Sequence, residues 1–136
     1  MKNKTYVVTG AASGIGKAIA TKLVELQSNV IAIDMNQCLD LPYPVLSADV
    51  SSANQVSDLV KKLEEQHKIL TIDGIFNCAG IIKCAPLESM DLEDFQLLFN
   101  VNVTGTFNII TAFLEPLKVT KGSIINIASN AGTVPR

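Results

Sequence analysis

Short β-branched runs alternate with stretches of helical periodicity from one end of the chain to the other. Thr5–Thr9 (TYVVT) stops at Gly10 and predicts a buried strand. Ile15, Ile19, Leu23 and Leu26 then recur at helical spacing, which predicts a helix laying one stripe on a sheet. Val30–Ile33 predicts a second strand ended by Asp34, and Pro42–Ala48 holds a weaker third. Ser52-Ala53-Asn54-Gln55 has the Ser-x-x-Gln form of a capping box, and Val56, Leu59, Val60 and Leu63 supply the helix it starts. Asp73–Asn77 predicts a fourth strand. Phe95, Leu98, Phe99, Val103 and Ile110 mark one long helix from Leu92 to Leu117, and Gly122-Ser123 opens a fifth strand over Ile124–Ala128.

Strands and helices in this order give parallel strands joined by right-handed crossovers. The predicted class is α/β, a doubly wound parallel sheet of Rossmann type, with about five strands and helices on both faces. Such sheets bind ligands beyond the carboxyl ends of their strands, where the strand order reverses. The chemistry is therefore sought at the strand ends.

The first strand ends in Thr9-Gly10-Ala11-Ala12-Ser13-Gly14-Ile15-Gly16. Glycines there let the backbone turn tightly and let a pyrophosphate approach the free N–H groups of a helix N-terminus. A P-loop does not fit, because Lys17 is followed by Ala18; the short GxGxxG form would need a small residue in place of Ile19. The spacing present is the longer TGxxxGxG, with Gly10, Ser13, Gly14, Ile15 and Gly16 as candidate dinucleotide contacts. Asp34 ends the second strand, eighteen residues past Gly16, where a carboxylate can accept both hydroxyls of an adenosine ribose. It would repel a 2′-phosphate, and no Lys or Arg stands at Ala11–Ser13 or Met35-Asn36 to offset that. The expected cofactor is NAD rather than NADP.

Asp49-Val50 follows the third strand. Asp49 either favours the next helix N-terminus electrostatically or accepts the adenine amino group. Asn77-Cys78-Ala79-Gly80 ends the fourth strand: Ala79 and Gly80 permit a close backbone approach to a ligand, and Asn77 can bridge neighbouring strands. Cys78 reads as a small buried apolar residue, with nothing charged beside it to lower its pKa. Asn102 falls on the apolar stripe of the long helix and is either a structural clamp or a site residue, since a buried amide must be hydrogen-bonded. Ser129 follows the fifth strand, where a substrate would lie.

Composition narrows the function classes. A chain of 136 residues that is 48% hydrophobic and 18% charged, with net charge −2, is neither a disordered tail nor a nucleic-acid binder driven by bulk positive charge. No apolar run approaches the ~20 residues that span a bilayer, so no membrane association is expected. Three cysteines (Cys38, Cys78, Cys84) without CxxC spacing or clustered His suggest a reduced, cytoplasmic setting and no metal site.

Thr9–Gly16, Asp34, Asp49-Val50, Asn77–Gly80, Asn102-Val103-Thr104-Gly105 and Ser129 stand in the order and spacing of one family. Over its whole length the chain resembles the short-chain dehydrogenase/reductases. The resemblance implies an NAD(P)-dependent oxidoreductase, usually a homodimer or homotetramer, that moves a hydride between the nicotinamide and a small-molecule alcohol or carbonyl carbon. It implies that Ser129 hydrogen-bonds the reacting oxygen, and that Asn102 holds a proton-relay water near a catalytic lysine. Cys78 departs from the pattern, in which Asn is commonest.

A narrower resemblance, carried by Ala48–Gln55, Asn77–Phe107 and Ser129–Arg136, is to the 2,3-dihydro-2,3-dihydroxybenzoate dehydrogenases of catechol siderophore synthesis. It implies a cyclic dihydrodiol carboxylate oxidised with NAD to a catechol acid, a direction that aromatisation makes downhill. Arg136, the only arginine, would then bind the substrate carboxylate bidentately, or else be an exposed loop charge. The alternatives are a family member acting on another alcohol or ketone, such as a 3-hydroxy acid or 3-oxoacyl substrate, and a catalytically silent dinucleotide-binding module or scaffold.

The family's general acid/base is a Tyr in a Tyr-x-x-x-Lys motif beyond the Ser, where the Lys lowers the Tyr pKa toward working pH. Here Ser129 is followed by seven residues and the only tyrosines are Tyr6 and Tyr43, neither placed to substitute. The expectation is a dinucleotide-binding domain over residues 1–136, incomplete at its C-terminus. By itself it would be inactive, binding NAD at most.

Overall fold

The protein, seen in a computed structural model that describes residues 1–38, 40–67 and 71–129, is built on a parallel sheet. The strands are β1 (Thr5–Thr9), β2 (Asn29–Asp34), β3 (Val45–Ser47), β4 (Gly74–Asn77) and β5 (Ser123–Asn126), in the order β3-β2-β1-β4-β5. The chain winds outward from β1 to β2 and β3, then crosses back to place β4 on the other side of β1. That reversal between β1 and β4 is the switch point at which such sheets bind ligands.

Alternation along the central strands sends side chains to two cores. Val7, Ile31, Ile33 and Ile75 point to one face, where they meet Val56, Leu59 and Leu63 of α2 (Ala53–His67), Ile109 of α4 (Gly105–Ala112), and Phe113 and Leu117 at α5 (Leu114–Thr120). Tyr6, Val8 and Ala32 point to the other, against Ala20 and Leu23 of α1 (Gly14–Glu25) and against Tyr43. Small residues on both sides of that second interface, Ala20 and Ala32, let α1 approach the strands closely. Both cores are contiguous apolar clusters, as helices on two faces of one sheet require.

Several expectations need correction. The third strand falls within Pro42–Ala48 as expected, but α1 leaves Ile15 and Leu26 outside its buried stripe of Gly16, Ala20 and Leu23. The single helix expected over Leu92–Leu117 is α3 (Leu92–Phe99), a π-helical turn at Asn100–Thr104, α4, and then α5 at 59° to the preceding helical run. Pro116 sits in the first turn of α5, where its missing N–H and its ring deny a bond back to the Ala112 carbonyl, so the break falls at Phe113.

The π-helical turn also rotates the contact face. Phe95, Phe99 and Val103 are at least half exposed, while Gly105, Ile109 and Phe113 are buried. Gly105 decides this: a Cβ there would lie 2.6 Å from Val50 Cγ2, so the helix docks through its smallest residue. Asn102 is accordingly exposed, not directed at the sheet.

Candidate functional site

At the switch point, the carboxyl ends of β1, β2 and β4 and the turn after β3 enclose a cleft of about 370 Å³. Its floor is the turn from β1 into α1. Gly10 and Gly14 hold positive φ angles of 64° and 52°, conformations that favour glycine. A Cβ at Gly10 would come within 2.9 Å of the Ala79 nitrogen, and one at Gly16 within 2.2 Å of the Gly10 carbonyl oxygen. At Gly10 and Gly16 the loop therefore passes with no room for a side chain. Ser13 is the N-cap of α1 yet makes no side-chain cap, so the first-turn donors are not taken by it.

The loop is tied to both neighbouring strands. Thr9 Oγ1 accepts the N–H groups of Cys78 and Ala79, each at 3.0 Å, which locks the end of β1 to the end of β4. Asp34 Oδ2 accepts the Ala12 N–H at 3.0 Å, and its Oδ1 accepts the Asn36 N–H at 2.9 Å. These bonds hold the carboxylate at the rim of the glycine loop. Each oxygen keeps a further lone pair for a ligand.

Asp49 is held just as firmly. Its Oδ1 accepts both the N–H (2.9 Å) and the hydroxyl (2.7 Å) of Ser51, and its own N–H donates to Gln55 Oε1 at 2.9 Å. The capping box is thus only half formed. Ser52 Oγ accepts the Gln55 N–H at 3.4 Å, while the Gln55 side chain reaches past Ser52 to Asp49. From the helical side, Asn108 Nδ2 donates to the carbonyls of Val50 (2.9 Å) and Ser51 (3.3 Å), fixing this turn against α4.

Of the residues singled out from sequence, Gly10, Ser13, Gly14, Ile15, Gly16, Asp34, Asp49, Val50, Ala79 and Gly80 line the cleft together. Asn77 does not. It is buried, its Nδ2 bridges β4 to Asn126 Oδ1 of β5 at 2.9 Å, and its Oδ1 has no hydrogen-bond partner among the described residues. Asn102 is also off the cleft wall. Its amide forms a two-point clamp on Ile81, accepting the Ile81 N–H at 2.9 Å and donating to the Ile81 carbonyl at 3.0 Å. Ser129 follows β5 at the same edge of the sheet, and Arg136 lies outside the described residues.

The cleft also takes in Met35, Asn36, Ala48, Cys78, Ile81 and Val101, which sequence reasoning did not assign to it. Met35 and Asn36 were signalled by adjacency to Asp34 and Ile81 by adjacency to Gly80; Val101 carried no signal, because the π-helical turn sets its direction. Burial raises the Cys78 thiol pKa to about 11, so it stays protonated and unreactive at neutral pH. A second groove, of about 320 Å³, lies between β3 and α2 beside Gln55, Asp58 and Lys62. It lies against the edge strand β3, and no glycine lines it.

Comparison with known proteins bears on this geometry. Residues 4–136 match the family described as short chain dehydrogenase. The chain is 33% identical over 135 residues to the 2,3-dihydro-2,3-dihydroxybenzoate dehydrogenase of Escherichia coli K12, covering 98% of this chain and 54% of that protein. It is 34% identical over 145 residues to a 3-oxoacyl-acyl-carrier-protein reductase of Thermotoga maritima, covering 97% and 58%. Among solved structures, the ligand-free aldohexose dehydrogenase of Thermoplasma acidophilum superposes with a TM-score of 0.82 at 28% identity, over 94% of this chain and 50% of that one. The chain thus spans little more than half the length of the curated relatives it matches.

Proposed function

Because this chain belongs to the short-chain dehydrogenase family, we propose that its switch-point cleft binds NAD and that the whole protein is an NAD-dependent oxidoreductase. The observation that carries the cofactor reading is the Asp34 carboxylate, held at the rim of the glycine loop by Ala12 and Asn36. That geometry suits the two hydroxyls of an adenosine ribose and opposes a phosphate on the 2′ oxygen. The loop fits the rest of a dinucleotide: Gly10 and Gly16 form a cradle that a Cβ would fill, and the donors at the start of α1, which the Ser13 side chain does not cap, suit a pyrophosphate. Asp49, oriented by Ser51 and Gln55, would accept the adenine amino group, with Val50 against the ring.

When bound, the nicotinamide would supply the hydride acceptor or donor. The chain's own part is positional. Ala79 and Gly80 would let the nicotinamide half lie close to the β4 backbone, and Ser129 would hydrogen-bond the reacting oxygen of the substrate. With both the oxygen and the nitrogen of its side-chain amide engaged by Ile81, Asn102 would act by fixing the backbone after Gly80.

For the substrate we favour a cyclic dihydrodiol carboxylate, 2,3-dihydro-2,3-dihydroxybenzoate, with Arg136 receiving the carboxylate. Support comes from the motif resemblance and from the E. coli relative's name. The second reading, a 3-oxoacyl substrate, rests on the similarly close Thermotoga protein. In the whole protein, the dihydrodiol should drive absorbance growth at the NADH wavelength. NADH consumption with a 3-oxoacyl thioester, and none formed with the dihydrodiol, would reverse the choice.

The protein is also read as a homo-oligomer. Leu92, Phe95, Phe99, Val103 and Phe107 form an exposed apolar ridge along α3 and α4, each at least half exposed. A second copy related by a two-fold axis would bury it against the same ridge.

A further inference from the structure

Tyr43 lies in the connection between β2 and β3, outside the residues that line the cleft. Its ring is buried in the α1-side core with Tyr6, Val8, Ala11, Ala20 and Leu23. Its hydroxyl, also buried, donates to the Ala11 carbonyl at 3.0 Å and stands 3.3 Å from the Lys17 carbonyl of α1. One proton serves two acceptors, and the shorter contact is to the glycine loop.

Ala11 is fully buried, so its carbonyl has no recourse to water. On either side of it, the Ala11 N–H donates to the Ile33 carbonyl at 3.3 Å, and the Ala12 N–H donates to Asp34 Oδ2 at 3.0 Å. Three consecutive backbone groups of the loop are thereby pinned to β2 and the segment after it, and Tyr43 supplies the only side-chain donor among them.

We propose that Tyr43 is a positioning residue for the dinucleotide: its hydroxyl, acting on the Ala11 carbonyl from behind, holds the glycine loop in the orientation that presents its N–H groups to the pyrophosphate. This rests on the dinucleotide reading of the cleft. Removing the hydroxyl leaves a buried carbonyl unpaired, which the loop relieves by turning toward water. The ligand must then restore the bound orientation, so affinity falls by the fraction of time the loop is competent.

The test uses the whole protein with Tyr43→Phe, which keeps the ring in its core, and Tyr6→Phe as a control. Tyr6 is a buried tyrosine of the same cluster, packed at a tilt against Phe76. NADH is titrated by fluorescence, ADP and adenosine are measured as its competitors, and circular dichroism checks that each variant is folded. Tyr43→Phe should weaken NADH and ADP by roughly 5- to 10-fold, the scale of one lost buried hydrogen bond. Adenosine, which has no phosphate to meet the loop, should change by less than about twofold, and Tyr6→Phe should leave all three ligands unchanged. Wild-type protein that fails to bind NADH overturns the dinucleotide reading itself. Wild-type binding with no loss in Tyr43→Phe overturns the positioning role alone, as does equal loss in the two variants or equal loss for ADP and adenosine.

Discussion

Gly16 shows how little space the loop leaves. A methyl group there would sit 2.2 Å from the Gly10 carbonyl oxygen, an atom of the backbone that cannot swing aside. At Gly14, two residues earlier, a Cβ would meet nothing within 4 Å, and the φ of 52° is the only obstacle. The two substitutions should separate accordingly. Gly16→Ala should abolish measurable NADH binding and cost ~1–3 kcal/mol from overpacking. Gly14→Ala should cost about 1 kcal/mol, the usual strain of the left-handed region. Thermal unfolding beside NADH titration checks both, and equal effects would contradict the close-packed loop. The glycines and Asp34 were legible in the sequence because spacing alone exposes them. Tyr43 and Asn108 were not, since each acts by donating to a backbone carbonyl, a role that any polar residue at any spacing can fill.

At the scale of elements, the strands were legible and the long helix was not. β1, β2 and β4 follow from short apolar runs ended by Gly or a polar residue, because a strand between two helical layers must be apolar on both faces. Helical periodicity between Leu92 and Leu117 picked out the largest side chains, whereas docking is set by Gly105, and the π-helical turn carries the large residues outward. The misread stripe thereby becomes the exposed ridge proposed as the interface between copies. Phe99→Glu should shift the protein to a smaller assembly in light scattering while leaving its helical dichroism intact. Ile109→Glu, at a position only 1% exposed, should unfold it instead. An unchanged assembly in Phe99→Glu would remove the ridge from the interface. β5 tells a related story: Ile124 and Ile125 on this edge strand, and Ile127 just after it, are all exposed, yet their pattern is that of an interior strand.

For the whole molecule, doubly wound topology makes one location special. β1 and β4 diverge at the reversal of strand order, and the turns after β1, β2, β3 and β4 converge there. That explains why residues as far apart in sequence as Gly10, Asp34, Asp49 and Ala79 line one cleft. The convergence was legible from element order alone. The position of Ser129 relative to a substrate was not, because it depends on the turn after β5, which the element order does not constrain. The most direct test of the central claim is fluorescence titration of the whole protein with NADH and NADPH, repeated with Asp34→Ala. The expected result is saturable NADH binding, NADPH weaker by about 10-fold or more, and a loss of ~10-fold for NADH when the carboxylate is removed. No saturable NADH binding, or NADPH bound as tightly as NADH by the wild-type protein, would contradict it.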